Sequence, residues 1–126
     1  MKSFKTTKEM ENKGMENELR TLENRSDSIK YIANTYGVDS RFNEAIEESS
    51  ELIQAICKYR SKYKLFTVLG HDVPELKAVI NEIADVKIVI AQLEYLFNIE
   101  NVVDSEIERK IELQIQEIND EEQSLG

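Results

Sequence analysis

The stretch between Pro74, the only proline, and Phe97 constrains the fold more than any other part of the chain. Its apolar residues point around almost the whole circumference of a helix instead of along one side. They are Leu76, Val79, Ile80, Ile83, Ala84, Val86, Ile88, Val89, Ile90, Ala91, Leu93, Leu96 and Phe97. Because a helix that is apolar on every side is normally buried on every side, we predict a central helix here, with neighbours all round.

The rest of the chain predicts further helices and no sheet. One Pro and four Gly in 126 residues leave few points that force a helix to end, and no segment alternates polar and apolar residues as a strand does. A chain of this length fits one domain with a core of its own. The predicted fold class is therefore all-α, an antiparallel helical bundle of four to five helices.

The helical domain is predicted to span residues 17–120. A flexible charged segment, residues 1–16, precedes it, and a frayed tail, residues 121–126, follows it. Within the domain, Gly37 is predicted to end the first helix, and the polar cluster at 26–28 either interrupts that helix or begins a new one.

Capping signals set the limits of the later helices. Asp72 is the predicted N-cap of the central helix, with Glu75 as its capping-box partner. A turn is predicted at 98–103, after which Asp104 or Ser105 caps the last helix. The predicted helices run from about Glu16 to Thr35, from Asp39 to Tyr63, from Pro74 to Phe97 and from Ser105 to Glu117.

The net charge of −9 argues against a nucleic-acid partner or an anionic membrane, because both need clustered Lys and Arg. It suits a chain that attracts cations. The N-terminal stretch has no apolar core of the kind found in signal peptides, and no segment is long and apolar enough to span a membrane. Cys57, the only cysteine, is predicted to be a small buried hydrophobic residue. We therefore expect a cytoplasmic protein.

Carboxylates recur at helical spacing in two stretches. In "EAIEESSELIQAI", Glu44, Glu48 and Glu51 share one face of a helix, opposite its apolar residues. Such an acidic face is usually solvated. In the central helix, Glu82 and Asp85 also share a face because they are three residues apart. Their apolar neighbours predict that this second face is buried.

Buried carboxylates need basic partners, shared protons or metal ions to neutralise them. If Glu48 and Glu51 pack against Glu82 and Asp85, four carboxylates converge with no Lys or Arg among them. Cations would neutralise such a cluster best. Oxygen ligands without a nearby histidine or thiolate favour Mg²⁺, with Mn²⁺ as the alternative. The sequence therefore predicts a magnesium site.

Other kinds of site fit the sequence less well. The single histidine, His71, has no glutamate three residues before it, so the ferritin-like di-iron pattern is absent. One Cys and one His exclude a zinc finger, and no calcium loop or phosphate-binding glycine loop is present. The main alternative is a helical interaction module whose acidic face binds a basic partner. In that case Glu82 and Asp85 would be exposed or paired with basic residues.

The paired acidic motifs resemble those of the MazG-like all-α nucleoside triphosphate pyrophosphohydrolases, which carry Glu-Glu-x-x-Glu followed later by Glu-x-x-Asp. Here the motifs read "EESSEL" from Glu47 and "EIADV" from Glu82. The neighbouring words "YG", "ELIQAICKY", "EIADVKIVIAQLEYL" and "ERKIELQI" are also similar. The resemblance covers residues 30–118 and is closest to small, single-domain, phage-type members.

The resemblance implies hydrolysis of a nucleoside triphosphate between its α and β phosphates, giving a nucleoside monophosphate and pyrophosphate. It implies that Glu47 either orients a ligand or acts as a general base. Lys58 and Lys110 match basic positions that face phosphates in this family. The implied Mg²⁺ ligands, which complete the catalytic set, are Glu48, Glu51, Glu82 and Asp85.

The chain departs from the family pattern in three respects. The gap between its two acidic pairs is at the long end for the family. Arg41 stands where phage-type relatives commonly have glutamine. Leu113, Gln114 and Gln116 follow Lys110 where relatives often carry arginine. These differences affect how the site would bind phosphate, and they leave the predicted metal ligands in place. They make a catalytically inactive relative the second alternative.

The predicted partners are a nucleoside triphosphate and further copies of the chain. A single bundle leaves part of the central helix uncovered, so its remaining apolar surface is predicted to meet a second copy. The family is similarly known as dimers and dimer-based tetramers. We therefore expect a homodimer or a dimer-based tetramer, with no nucleic acid and no membrane bound.

Overall fold

The computed structural model describes residues 24–63 and 73–125, which form three α-helices. These are α1 (Arg25–Lys62), α2 (Pro74–Phe97) and α3 (Glu100–Leu125). The described ranges contain no strand, so the all-α prediction is confirmed. The bundle of four to five helices stays a prediction. None of the three described helices is both long and apolar enough to cross a membrane.

α1 begins at a side-chain cap and bends at its glycine. The Asn24 side chain accepts a hydrogen bond from the Asp27 backbone N–H at 3.0 Å, which satisfies a donor of the first turn. Gly37 has φ 83° and ψ 173°, a conformation that is not helical and that glycine adopts without strain. The helix break predicted at Gly37 is therefore confirmed. The two helical segments that meet at this kink are together called α1, which begins at Arg25, one residue before the 26–28 cluster. The predicted start at Glu16 lies outside the described residues.

α2 begins at a cap that differs from the predicted one. Its N-cap residue is Val73, which makes no side-chain cap hydrogen bond, so the prediction of Asp72 as the N-cap is wrong. Glu75 accepts hydrogen bonds from the Tyr63 hydroxyl at 2.6 Å and from Lys62 Nζ at 3.3 Å. These contacts tie the end of α1 to the start of α2.

The turn between α2 and α3 is shorter than predicted. Asn98 adopts a left-handed conformation, φ 54° and ψ 46°, and its backbone N–H bonds back to carbonyls of α2. α3 then begins at Glu100, so the predicted turn at 98–103 and the caps at Asp104 or Ser105 are wrong. A left-handed residue ends a helix within one position, which leaves room for a link of only two residues.

α3 is almost entirely exposed. It continues beyond the predicted end at Glu117 and includes residues 121–125 of the predicted frayed tail. Only Val103 is partly covered, and every other residue from Glu100 to Leu125 is exposed. α3 contacts α2 near the connecting turn and projects away from it along the rest of its length.

α1 and α2 pack side by side and run in opposite directions. Near the start of α1, Asn34 Nδ2 donates to the Tyr95 hydroxyl at 2.8 Å. At its end, Lys62 Nζ lies 3.3 Å from the Glu75 carboxylate. Because higher residue numbers on α1 meet lower numbers on α2, the pair is an antiparallel helical hairpin.

The core of this hairpin is small and partly polar. Its buried apolar side chains are Ala33, Ala55 and Val89. Gln92 is 1% exposed and Arg41 is 9% exposed, and Arg41 Nη1 donates a hydrogen bond to Gln92 Oε1 at 3.0 Å. Burying a guanidinium costs less where its donors are bonded, so the hydrogen bond between Arg41 and Gln92 favours this register of the hairpin.

The prediction that α2 is buried on every side is wrong for the described part of the chain. α1 is the only described helix that packs along α2, and one neighbour covers only one side. The apolar residues on the other sides are 43–46% exposed: Ile80, Ile83, Ile88 and Ile90. Cys57 is also exposed, contrary to prediction, because it lies on the side of α1 away from α2.

Replacing Gln92 with leucine removes the acceptor of the Arg41 hydrogen bond and keeps a side chain of similar size. We expect the free energy of unfolding to fall by about 1–3 kcal/mol, because a buried charged donor loses its partner. Urea unfolding followed by circular dichroism measures the change. Gln116→Leu, at an exposed position of α3, is the matched control and should change stability by less than about 0.5 kcal/mol. A urea midpoint unchanged by Gln92→Leu would contradict a stabilising role for the buried pair.

Candidate metal centre

The acidic side chains of α1 and α2 meet in the middle of the hairpin. Spacings of three and four residues place Glu44, Glu48 and Glu51 on one side of α1, and all three are half-buried. Glu82 and Asp85, three residues apart on α2, are half-buried as well. The antiparallel packing therefore sets one acidic helix face against the other.

Three of these carboxylates come together closely. One oxygen each from Glu48, Glu51 and Glu82 lies within 4.8 Å of the other two. Ligands held about 2.1 Å from Mg²⁺ are up to about 4.2 Å from one another, so the three oxygens are close to metal-binding distance. Asp85, the fourth predicted ligand, lies outside this group of three, although its negative charge acts on Glu48.

Two oxygens of the cluster, Glu48 Oε2 and Glu82 Oε2, are buried and accept no hydrogen bond from a backbone N–H or from a donor side chain. The other oxygen of Glu82 accepts a hydrogen bond of 3.4 Å from Asn81 Nδ2. The ion pairs found within the described ranges both lie elsewhere, so no described basic side chain neutralises the cluster. Buried carboxylate oxygens without donors are costly, and a bound cation would remove that cost.

Burial and neighbouring carboxylates raise the pKa of two members of the cluster. The pKa of Glu48 is raised to about 8, first by burial and then by hydrogen bonds shared with Glu44 and Glu82, with added repulsion from Asp85 and Glu51. Burial and the charge of Glu82 also raise the pKa of Glu51. With a pKa this high, Glu48 holds a proton near neutral pH.

The remaining predicted site residues lie further out. Glu47 is exposed, and its charge contributes to the raised pKa of Glu51, so its carboxylate borders the cluster. Lys58 and Lys110 are both exposed. Within the described residues neither lysine makes a hydrogen bond or an ion pair with the cluster, and the charge of Lys110 acts on Glu106 of α3.

A buried polar pair that sequence reasoning missed lies on the same seam between the helices. Arg41 bonds Gln92, donates from Nη2 to Ser40 Oγ at 2.9 Å and packs against the ring of Tyr36, 4.6 Å from its centroid. Its Nε is buried without a partner. One sequence signal could have found Arg41: it precedes Glu48 by seven residues, which places both on the same side of α1.

Comparison with known proteins gives no match: no protein-family model, no curated protein and no solved structure is similar to the chain. The resemblance to MazG-like enzymes therefore consists of the two acidic motifs and the short sequence segments beside them. The structure places the first motif, from Glu47, on α1 and the second, from Glu82, on α2. Both motifs lie on the packed hairpin.

The raised pKa of Glu48 predicts how the stability of the metal-free protein depends on pH. The folded chain keeps the Glu48 proton up to about pH 8, whereas the unfolded chain releases it near pH 4.5. Between these values the folded state binds more protons, so its free energy of unfolding falls as pH rises. In EDTA, the wild type should therefore lose more stability between pH 5 and pH 8 than Glu48→Gln, because glutamine does not ionise.

Urea unfolding at the two pH values measures this difference. Glu112→Gln, which removes a carboxylate from an exposed position of α3, is the matched control and should keep the pH dependence of the wild type. If Glu48→Gln loses as much stability as the wild type, Glu48 does not carry the proton assigned to it.

Proposed function

We propose that this protein is a Mg²⁺-dependent nucleoside triphosphate pyrophosphohydrolase, a hydrolase acting on acid anhydrides. It would cleave the bond between the α and β phosphates of ribo- or deoxyribonucleoside triphosphates, giving the monophosphate and pyrophosphate. The observation that supports this most is the convergence of Glu48, Glu51 and Glu82 with two buried oxygens that lack donors. The resemblance of both acidic motifs to the MazG-like family supplies the reaction.

The residues of the cluster fit a hard divalent cation. Every candidate ligand is a carboxylate oxygen, which is the ligand type that Mg²⁺ and Mn²⁺ prefer. The one cysteine of the chain, Cys57, is on the exposed side of α1, so no thiolate competes for a softer metal. We assign Glu48, Glu51 and Glu82 as the ligands, with Asp85 as a fourth carboxylate that adds negative charge beside them.

When bound, Mg²⁺ neutralises triphosphate oxygens and lowers the pKa of a water molecule. The chain itself supplies the geometry around that chemistry. Glu47 is exposed beside the cluster, so its carboxylate can orient the attacking water and accept its proton. The water oxygen then forms a bond to phosphorus as the α–β anhydride bond breaks, and the leaving phosphate oxygen departs with the bonding electrons.

Lys58 is the described basic residue best placed to contact the triphosphate. It follows Glu51 by seven residues, so it lies on the same side of α1, about 10 Å further along the helix. A lysine side chain spans much of that distance, and its exposed position leaves it free to turn towards a phosphate. Lys110, on α3, would contact phosphate only if α3 of one copy lay near the carboxylate cluster of another copy.

We also propose that the protein acts as a homodimer or a dimer-based tetramer. The described chain buries only three apolar side chains, Ala33, Ala55 and Val89, while many large apolar residues of all three helices are exposed. A two-helix hairpin with so small a core needs further surface to cover it. Additional copies of the chain would supply that surface.

Pyrophosphate release from a panel of canonical and modified nucleoside triphosphates tests the catalytic proposal. We expect release with Mg²⁺, slower or equal release with Mn²⁺, and none in EDTA. Glu82→Gln should abolish release and keep the helical circular dichroism spectrum, because it removes a metal ligand and preserves the shape of the side chain. Glu112→Gln, on the exposed surface of α3, is the matched control and should retain full turnover.

Thermal unfolding with and without Mg²⁺ separates the alternatives, since a ligand that binds only the folded state raises its melting temperature. No release from any substrate, together with a Mg²⁺-dependent rise in melting temperature, would indicate a catalytically inactive relative. No release and no Mg²⁺ effect would indicate an interaction module with an acidic face, and the metal site would be wrong. Unchanged turnover in Glu82→Gln would remove Glu82 from the site.

A further inference from the structure

α1 carries an apolar stripe on a side that α2 leaves mostly uncovered. The ring of its first member, Phe42, also packs against Phe97 of α2, with the ring centroids 5.5 Å apart. The four members of the stripe, Phe42, Ile46, Ile53 and Ile56, are 45–70% exposed. Intervals of three, four and seven residues align them on one side of the helix, and the small side chain of Ser49 between them leaves a shallow groove. No helix of the described chain packs along this surface, which we call the α1 stripe.

α3 carries a second apolar stripe that is also uncovered. Ile107, Ile111, Ile115 and Ile118 recur at intervals of four, four and three residues, so they line one side of α3. They are 48–55% exposed, and this surface is called the α3 stripe below. Two amphipathic helix surfaces of similar length thus lie unpaired on one chain, which is the pattern expected of helices that pack against each other.

The turn after α2 keeps the two stripes of one chain apart. The turn is two residues long, so the first turn of α3 lies beside the end of α2. Glu94 of α2, Asp104 of α3 and Lys30 of α1 line the same cleft there. Beyond that point α3 has no extended contact with its own hairpin. The α3 stripe is therefore presented to another molecule.

The charges around the two stripes complement each other in only one direction. From residue 112 onward α3 has no basic residue and five carboxylates: Glu112, Glu117, Asp120, Glu121 and Glu122. Arg60, which forms no ion pair within the described residues, lies at the C-terminal end of the α1 stripe. A parallel arrangement sets the acidic end of α3 beside Arg60. An antiparallel one would set it beside Asp39, at the other end of the α1 stripe, where like charges repel.

We propose that the α3 stripe of one copy packs in parallel on the α1 stripe of a second copy, with the same exchange made in return. Ile118 then lies near Ile53 of the other copy, and Glu121 lies near its Cys57 and Arg60. Both surfaces of the contact belong to the same chain, so a two-fold dimer satisfies both at once. This contact specifies how the proposed oligomer is built, and it does not depend on the catalytic proposal.

The lone cysteine of the chain allows a direct test. Cys57 borders the α1 stripe and is exposed. Glu121→Cys places a second thiol at the edge of the α3 stripe, and a disulfide forms only where the two Cα atoms come within about 7 Å. Under mild oxidation, we expect most of the full-length Glu121→Cys chain to shift from the monomer to the dimer band on a non-reducing gel. Peptide mass spectrometry should find Cys57 joined to the new cysteine in that band.

Asp120→Cys is the matched control because it removes the same charge from the adjacent residue, which points to the opposite side of α3. It should give no more dimer than the wild type, in which only Cys57 pairs with Cys57. Raising the salt concentration should lower the yield of the Glu121→Cys dimer, because the charge pairs at the contact are screened.

Three results would overturn the proposal. The first is the same Cys57-to-α3 link in both variants, which would reflect random collision. The second is a link within one chain, seen as a disulfide-bonded monomer, which would mean that α3 folds back on its own α1. The third is a dimer mass by light scattering without the link, which would leave the oligomer standing and show that other surfaces form it.

Discussion

The contact between α1 and α2 sets negative charge against negative charge, and the rest of the structure depends on how that charge is neutralised. The same packing that buries Ala55 and Val89 brings the carboxylates of Glu48, Glu51 and Glu82 together. A proton on Glu48, whose pKa is raised to about 8, relieves the repulsion. The cation that we propose would use the same carboxylates as ligands. Stability and candidate chemistry therefore share the same residues.

Polar contacts on either side of the cluster hold the hairpin in the register that this arrangement needs. Arg41 and Gln92 form a buried hydrogen bond two helical turns from Glu48, and Glu75 accepts bonds from the end of α1 at the base of the hairpin. Apolar packing alone tolerates sliding of one helix along another, whereas directional bonds between buried groups do not. The acids face one another because these bonds fix the pairing.

The hairpin leaves most of its apolar surface uncovered, and this surface favours contact between copies of the chain. The outer side of α2, the α1 stripe and the α3 stripe are all exposed. Two helices can bury only the seam between them, so further layers are required before a core of ordinary size exists. A contact between copies through α3 would add such a layer and leave the acidic seam between α1 and α2 open to a ligand.

The sequence by itself determined the features that depend on local backbone geometry. Helical periodicity predicted the all-α class, the shared face of Glu82 and Asp85 and the break at Gly37, because each follows from the spacing of neighbouring residues. Only the tertiary structure decided which faces meet. It joined Glu48 to Glu82, paired Arg41 with Gln92 across 51 positions, and left Cys57 and the outer isoleucines of α2 exposed. Burial and long-range pairing depend on how many neighbours a helix has, and periodicity along one helix does not contain that information.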